Sequence, residues 1–254
     1  RNTRCCSWSR GLGDVYKRQS LLFVRRSILL QSDDEIDKLA WMFANAMRHG
    51  VELTDELRDL LELACQYDRS PVIPREQLLQ ARDSMLAAPM GDRRDSHWGW
   101  KEPNSHILLP QLDRSFPQMK FVYVMRNGLD MAFSDNHNQL QYFWGDLMLE
   151  GDTRPTPQNL LRYWIAAHRR MQGFRQRLGD RLHFLSFDRL CQDPEGELEA
   201  LREFAGIQIS KKDLAQLAQK VSPPRSMGRF RQQDLSIFDP ADLEFVRQLG
   251  FDVE

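Results

Sequence analysis

Lys120-Phe-Val-Tyr-Val-Met-Arg-Asn-Gly-Leu-Asp-Met-Ala-Phe-Ser134 is an apolar run that leads through a basic turn into a helical pattern. Its five consecutive apolar residues, Phe121 to Met125, are typical of a strand buried on both faces of a parallel sheet. Arg126 then falls at the carboxyl edge of that sheet, where ligands of open α/β folds bind and where the next helix presents free backbone N–H groups. Ser134 follows eight residues later. This spacing predicts a binding site for one phosphate group.

Two further strands are predicted around this segment. Residues 97–101 form a short strand whose end is marked by Pro103, and a helix over residues 104–112 follows, bent or stopped at Pro110. The third strand is Leu182 to Ser186. Lys101 therefore falls at a second strand edge.

A long helix precedes the third strand. Thr156 is its cap, Pro157 lies in its first turn and Gly179 ends it. An apolar stripe along one face indicates packing in the core rather than a cofactor site. The stripe contains Leu160, Trp164, Ala167, Met171, Phe174 and Leu178.

The N-terminal part of the chain has a helical pattern, with helices at residues 55–67 and 74–86. We assign residues 20–95 to a helical region and residues 96–254 to an α/β part of one domain, residues 20–254. Strands that alternate with helices predict a three-layer α/β fold, in which a mostly parallel sheet is flanked by helices.

The first residues of the chain have a different character. Residues 1–19, RNTRCCSWSRGLGDVYKRQ, have neither a helical nor a strand period and end abruptly where periodic sequence begins. They resemble translated linker sequence, and we predict a foreign leader; a disordered native leader is the alternative.

Composition limits the function classes. The 254 residues are 41% hydrophobic, enough for a sizeable core, and the net charge of −1 gives no global field that favours nucleic acid. No apolar run approaches the roughly 18 residues of a membrane span. Four scattered cysteines and six scattered histidines predict no metal site and a reducing, cytoplasmic location. The oligomeric state stays open.

Basic residues lie on three turns that a parallel sheet brings to one edge. They are Lys101, Arg126 and the group Arg225, Arg229 and Arg231. Each alone is most often a solvated charge or a surface ion pair, whereas together they predict an anion pocket. Asp130, four residues before Ser134, shares its helix face and is predicted to orient it.

Four motifs in this order resemble a known family. Arg126-Asn-Gly-Leu-Asp-Met-Ala-Phe-Ser134 is similar to the 3′-phosphate-binding motif of sulfotransferases that use 3′-phosphoadenosine 5′-phosphosulfate (PAPS). Trp98-Gly-Trp-Lys-Glu-Pro103 resembles their strand ending in Lys-x-Pro, and Ser186-Phe-Asp-Arg-Leu190 with Asp193-Pro194 resembles their YEDL…DP element. Ser226-Met-Gly-Arg-Phe-Arg231 is similar to their G-x-W-R loop, with Phe230 in place of Trp.

The resemblance implies a P-loop-like fold of the bacterial sulfotransferase type and transfer of a sulfo group to a hydroxyl or amine of an acceptor. That acceptor is a small molecule or a glycan. Lys101 is implied to face the transferred group, and Glu102 and His106 are the nearest candidates for the base. The cofactor-binding residues that it implies are Arg126, Ser134, Arg225, Gly228, Arg229 and Arg231.

The family's Gly-rich loop for the 5′-phosphosulfate is not found in the sequence, and we expect that it lay upstream and was replaced by the leader. A truncated chain of this kind is expected to be inactive if that loop is essential. A kinase-like phosphoryl transferase is one alternative function, although the sequence contains no GK[ST] motif. A nucleotide-binding or interaction module without catalysis is the other.

Overall fold

The computed structural model describes residues 54–66, 75–86 and 105–254, with single positions at 32, 34, 35, 37, 38, 41, 99, 101 and 103. Of these, the residues up to Pro117 belong to one compact unit, and Gln118–Glu254 form a second. The predicted leader lies outside the described residues. Of the strand predicted at residues 97–101, only Gly99 and Lys101 are described, and neither has strand geometry.

Two helices of the first unit pack against each other. They are α1, Asp55–Gln66, and α2, Arg75–Leu86, which confirms the two predicted helices to within one residue at each end. Arg82 Nη1 of α2 lies 2.8 Å from Glu62 Oε1 of α1. The side of α1 that faces inward carries Leu57, Leu60 and Leu61, all buried.

A further described helix of this unit, which we label α3, is Leu109–Ser115, so the helix predicted over residues 104–112 begins too early. Residues 105–107 form a turn instead. Pro110 explains the difference, because it lies in the first turn of α3. Proline has no N–H to donate, and only the first turn of a helix leaves that donor without an intrahelical partner.

The second unit contains two strands and seven α-helices among the described residues. In chain order they are β1 (Phe121–Met125), α4 (Gly128–Ala132), α5 (Gly145–Met148), α6 (Pro157–Leu178), β2 (Leu182–Ser186), α7 (Phe187–Gln192), α8 (Pro194–Ala205), α9 (Lys211–Ala218) and α10 (Pro240–Gln248). A π-helical turn, Gln139–Trp144, precedes α5, and short 3-10 turns lie at Gly179–Arg181, Arg229–Gln232 and Leu235–Ile237.

β1 and β2 are parallel neighbours, with Phe121 opposite Leu182 and Met125 opposite Ser186. Both strands therefore end at the same edge, as predicted. The prediction that β1 is buried on both faces is wrong at Val124, which is 55% exposed. Side chains alternate between the two faces of a strand, and the neighbouring Met125 is the one that enters the core.

The α/β class holds for the described residues, since parallel strands are combined with many helices. The described residues contain a two-stranded sheet, which is smaller than the sheet of the predicted three-layer fold. The strand predicted at residues 97–101 falls largely outside the described ranges. The three-layer arrangement thus stays a prediction.

The long helix α6 has the start and end predicted from the sequence. Thr156 Oγ1 accepts a hydrogen bond from Asn159 N at 3.3 Å, Pro157 lies in the first turn, and Gly179 follows the helix with φ of +56°. The predicted stripe is core: Leu160, Trp164, Ala167, Met171 and Leu178 are buried and Phe174 is half-buried.

Candidate functional site

The side chain of Arg126 lies at the carboxyl end of β1 and contacts three neighbours. Its Nη2 donates a hydrogen bond to Ser226 Oγ at 3.3 Å and lies 4.0 Å from Asp130 Oδ2. The guanidinium also lies over the Phe187 ring, 5.4 Å from its centre. Because the side chain is still 28% exposed, this cation is held in place and remains accessible to an anion from solvent.

Ser134 lies past the end of α4, so it is not on the helix face that it was predicted to share with Asp130. The helix ends at Ala132, and the Ser134 hydroxyl accepts a hydrogen bond from Asn136 N at 3.2 Å. Asn138 N likewise donates a hydrogen bond to the side-chain oxygen Asn136 Oδ1, at 3.2 Å. Such local side-chain bonds compete with helix formation, which explains the short helix. Among the described residues no hydrogen bond or ion pair joins Ser134 to Arg126.

Asp130 connects α4 to a distant loop. Its Oδ2 accepts a hydrogen bond from Gly228 N at 2.8 Å, and its Oδ1 accepts one from Phe230 N at 3.4 Å. The prediction that Asp130 orients Ser134 is therefore wrong. The buried carboxylate instead accepts hydrogen bonds from two uncharged backbone N–H groups.

Gly228 lies at the tight turn of this loop. Its φ is +75°, and a Cβ atom added there would lie 2.7 Å from Arg231 Nη1. Both the backbone conformation and the close side chain therefore favour glycine. Arg231 itself pairs with the Asp252 carboxylate, and its Nε donates a hydrogen bond to the Glu254 carbonyl oxygen at 2.9 Å.

The other two loop arginines differ in their contacts. Arg229 donates hydrogen bonds to the Phe133 carbonyl oxygen at 3.1 Å and to the Ser226 carbonyl oxygen at 3.2 Å. Arg225 is exposed, and within the part of the chain that the structure describes its side chain has no ion pair or hydrogen bond. Of the four arginines in the predicted cluster, Arg225 and Arg126 are thus the cations best able to meet a ligand.

A cavity of about 180 Å³ lies beside this loop at the carboxyl ends of the two strands. Polar and apolar groups line it, among them Asn127, Ser186, Asp188 and Phe230. Asp188 Oδ2 accepts a hydrogen bond from Asn127 N at 3.2 Å. Burial raises the pKa of Asp188, while that amide bond and nearby Arg126 act in the opposite direction.

A family model described as the sulfotransferase family matches residues 24–211, more than half of the chain. The chain belongs to the sulfotransferase family. No curated protein and no solved structure matches the sulfotransferase chain. Arg126 and Ser134 lie inside the matched residues, whereas the loop from Arg225 to Arg231 follows them along the chain.

Two of the three predicted catalytic residues of the sulfotransferase, Lys101 and His106, are described, and both belong to the first unit. Lys101 is exposed, His106 is buried, and Glu102 lies outside the described residues. Their assignment to the reaction stays a prediction.

Two groups that hold Arg126 were not predicted from the sequence. Ser226 belongs to a loop that was noted for its arginines, and Phe187 begins the helix after β2. The position of Phe187 directly after a strand was the available signal, because residues at that edge lie beside one another in a parallel sheet.

Two further findings concern the described residues of the sulfotransferase. Nowhere among them do three or more His, Cys, Asp or Glu side chains converge in a way that could hold a metal ion. None of their helices combines the length and apolarity needed to cross a bilayer.

Proposed function

We propose that this sulfotransferase uses PAPS as its donor and transfers the sulfo group to a hydroxyl or amine of a small-molecule or glycan acceptor. The proposal rests on the surroundings of Arg126. Its guanidinium follows a parallel strand, is held by Ser226 and Phe187, and keeps part of its surface open. A planar fork of donors matches the oxygens of a phosphate group, such as the 3′-phosphate of PAPS.

The proposed 3′-phosphate site has two kinds of member. Arg126 and Arg225 supply positive charge, and the Ser134 hydroxyl retains a hydrogen that it can donate. Gly228, Arg229 and Arg231 shape the loop, since both of these arginines bond backbone carbonyl oxygens. The full proposed set is Arg126, Ser134, Arg225, Gly228, Arg229 and Arg231.

The proposed reaction is an in-line transfer. The acceptor oxygen or nitrogen forms a new bond to sulfur while the bond between sulfur and the 5′-phosphate oxygen breaks, and the acceptor proton passes to a base. Lys101 would neutralise charge on the moving group and on the leaving phosphate, and Glu102 or His106 would take the proton. Positioning and charge neutralisation supply most of the catalysis in such transfers.

Nucleotide titration of the full-length protein tests the donor. We expect adenosine 3′,5′-bisphosphate to bind more tightly than 5′-AMP by a factor of about ten or more, because only the former offers a 3′-phosphate to Arg126. Equal affinities would contradict the proposal. Preference for ATP with Mg²⁺ would support a kinase-like enzyme, and tight binding of PAPS without transfer to any acceptor would support a non-catalytic module.

Replacement of Lys101 tests the chemistry. In the full-length protein we expect Lys101→Ala to lower turnover by about a hundredfold or more while donor affinity changes little, because the lost charge acts mainly in the transition state. Sulfo transfer is measured by mass spectrometry, and Lys211→Ala, at an exposed lysine of α9, is the control. Unchanged turnover in Lys101→Ala would remove this residue from the mechanism.

A further inference from the structure

Asp130 is a buried carboxylate whose two oxygens both accept hydrogen bonds from one loop. The donors are the backbone N–H groups of Gly228 and Phe230, which follow Asp130 by 98 and 100 residues. The residue is only 2% exposed. A buried charge is costly unless it is fully bonded, so this arrangement requires the loop to stay in place.

The same carboxylate also lies close to Arg126. Asp130 Oδ2 is 4.0 Å from Arg126 Nη2, and that nitrogen donates a hydrogen bond to Ser226 Oγ in the loop. The three side chains and the loop backbone thus form a closed ring of contacts. Movement of the loop would disturb Arg126, and movement of Arg126 would disturb the loop.

The chemistry of the site requires a carboxylate at this position. Two N–H donors converge on Asp130, and a carboxylate offers acceptors alone. An asparagine of the same shape would direct its own N–H₂ group at one of these donors. That donor would then be buried without an acceptor, which destabilises the contact.

We propose that Asp130 is a positioning residue that fixes Arg126 and the loop from Ser226 to Phe230 relative to each other, so that both parts of the 3′-phosphate site are formed before the nucleotide binds. This inference rests on the proposed function. Asp130 contacts no ligand in this scheme. It acts by holding two ligand-binding segments that are remote in sequence, and its own charge is directed toward backbone N–H groups.

The direct test is Asp130→Asn, first without any ligand. Hydrogen exchange at the amides of Gly228 and Phe230 should become about tenfold faster or more, because loss of a buried hydrogen bond makes local opening easier. Asp180→Asn, at an exposed position in a 3-10 turn, is the matched control and should leave this exchange unchanged. Unchanged exchange in Asp130→Asn would overturn the proposal.

The second measurement is nucleotide affinity. Asp130→Asn should weaken binding of adenosine 3′,5′-bisphosphate about tenfold and leave 5′-AMP binding unchanged, because only the 3′-phosphate depends on Arg126 and the loop. In an Arg126→Ala background the same change should add little further loss, since both act on one interaction. Equal weakening for both nucleotides, or full additivity, would indicate a merely structural role and overturn the proposal.

Two outcomes keep this test separate from that of the proposed function. If the wild-type protein does not distinguish the two nucleotides, the 3′-phosphate site itself is wrong. If it does distinguish them and Asp130→Asn keeps the wild-type preference, only the positioning role is wrong. Should Asp130→Asn fail to fold, Ser226→Ala removes the contact between the loop and Arg126 without leaving a buried charge. It should show the same selective loss, and an unchanged preference would overturn the proposal.

Discussion

The Arg126 side chain is held by protein contacts and still has donors that a ligand can reach. Its guanidinium carbon lies over the Phe187 ring, 5.4 Å from the ring centre, and its bond to Ser226 uses one terminal nitrogen. Within the described part of the chain no hydrogen bond uses the other donors of the planar fork, so they are open to a ligand. A lysine could not divide its contacts in this way, because its ammonium group is a single compact charge.

Replacement of Arg126 by alanine should therefore act selectively. We expect Arg126→Ala to weaken binding of adenosine 3′,5′-bisphosphate by roughly 1.5 to 3 kcal/mol, about tenfold to more than a hundredfold, and to leave 5′-AMP binding nearly unchanged. Isothermal titration calorimetry measures both. Arg154→Ala is the control, because Arg154 is an exposed arginine whose partner is Asp152. An equal loss for the two nucleotides would refute the role assigned to Arg126.

The position of a residue is easiest to predict from the sequence when its immediate neighbours along the chain determine it. Arg126 follows an apolar run directly, so its place at a strand end was predictable. The role of Asp130 was not, because the N–H groups that it binds lie about 100 residues further along the chain. No periodicity near Asp130 indicates that contact. The sequence suggested its near neighbour Ser134 as the partner instead.

At the level of elements, α4 packs closely on α6 through a glycine. A Cβ atom added at Gly128 would lie 2.8 Å from ring atoms of Trp164. That ring cannot easily move, since it is buried and lies tilted by 33° against the His168 ring, with ring centres 3.8 Å apart. The absence of a side chain at Gly128 thus sets the distance between α4, which follows Arg126, and the core.

We predict that Gly128→Ala lowers the free energy of unfolding by about 1 to 3 kcal/mol through overpacking against Trp164. Urea unfolding measures the change. Gly173→Ala within α6 is the matched control, because a Cβ atom there meets nothing within 4 Å. This control should stabilise the protein by up to about 1 kcal/mol, since alanine favours a helix over glycine. A neutral Gly128→Ala would mean that the Trp164 ring moves aside without cost.

Helix boundaries were predictable where caps and prolines mark them. Thr156 and Gly179 were predicted as the limits of α6, and both function as expected. The start of α3 was misplaced because the apolar pattern before Pro110 continues into a turn. The early end of α4 was not predicted, because the side chains of Ser134 and Asn136 accept hydrogen bonds from backbone N–H groups that a longer helix would use. Periodicity alone does not show such competition.

For the molecule as a whole, strand direction was predictable and the extent of the sheet was not. The long helix between β1 and β2 requires a crossover, and a crossover joins parallel strands. Exposure of Val124 depends on what covers each face of the sheet, which an apolar run does not specify. The cavity at the strand ends likewise depends on residues from the C-terminal part of the chain, such as Asp252.

Stability of the whole protein is expected to depend on pH through a buried histidine. His168 is 2% exposed, and its Nδ1 lies 2.8 Å from the Trp164 carbonyl oxygen, so Nδ1 carries the proton that it donates. The Tyr123 hydroxyl lies 3.4 Å from the same nitrogen. Nε2 is buried without a partner among the described residues. Burial lowers the pKa of His168 to about 4, although the bond to Trp164 opposes this shift.

The folded protein therefore keeps His168 neutral at pH values where the unfolded chain protonates it. An unfolded histidine has a pKa of about 6.5, so between pH 6.5 and 4 the unfolded chain binds more protons and stability falls as the pH falls. Over that window the loss from this one residue should be about 3 kcal/mol. Urea unfolding at pH 7, 6, 5 and 4 measures it. His168→Phe, which removes the titrating group and keeps a planar ring, should lose correspondingly less stability over the same window. If His168→Phe and the wild-type protein show the same pH dependence, His168 is not the group responsible.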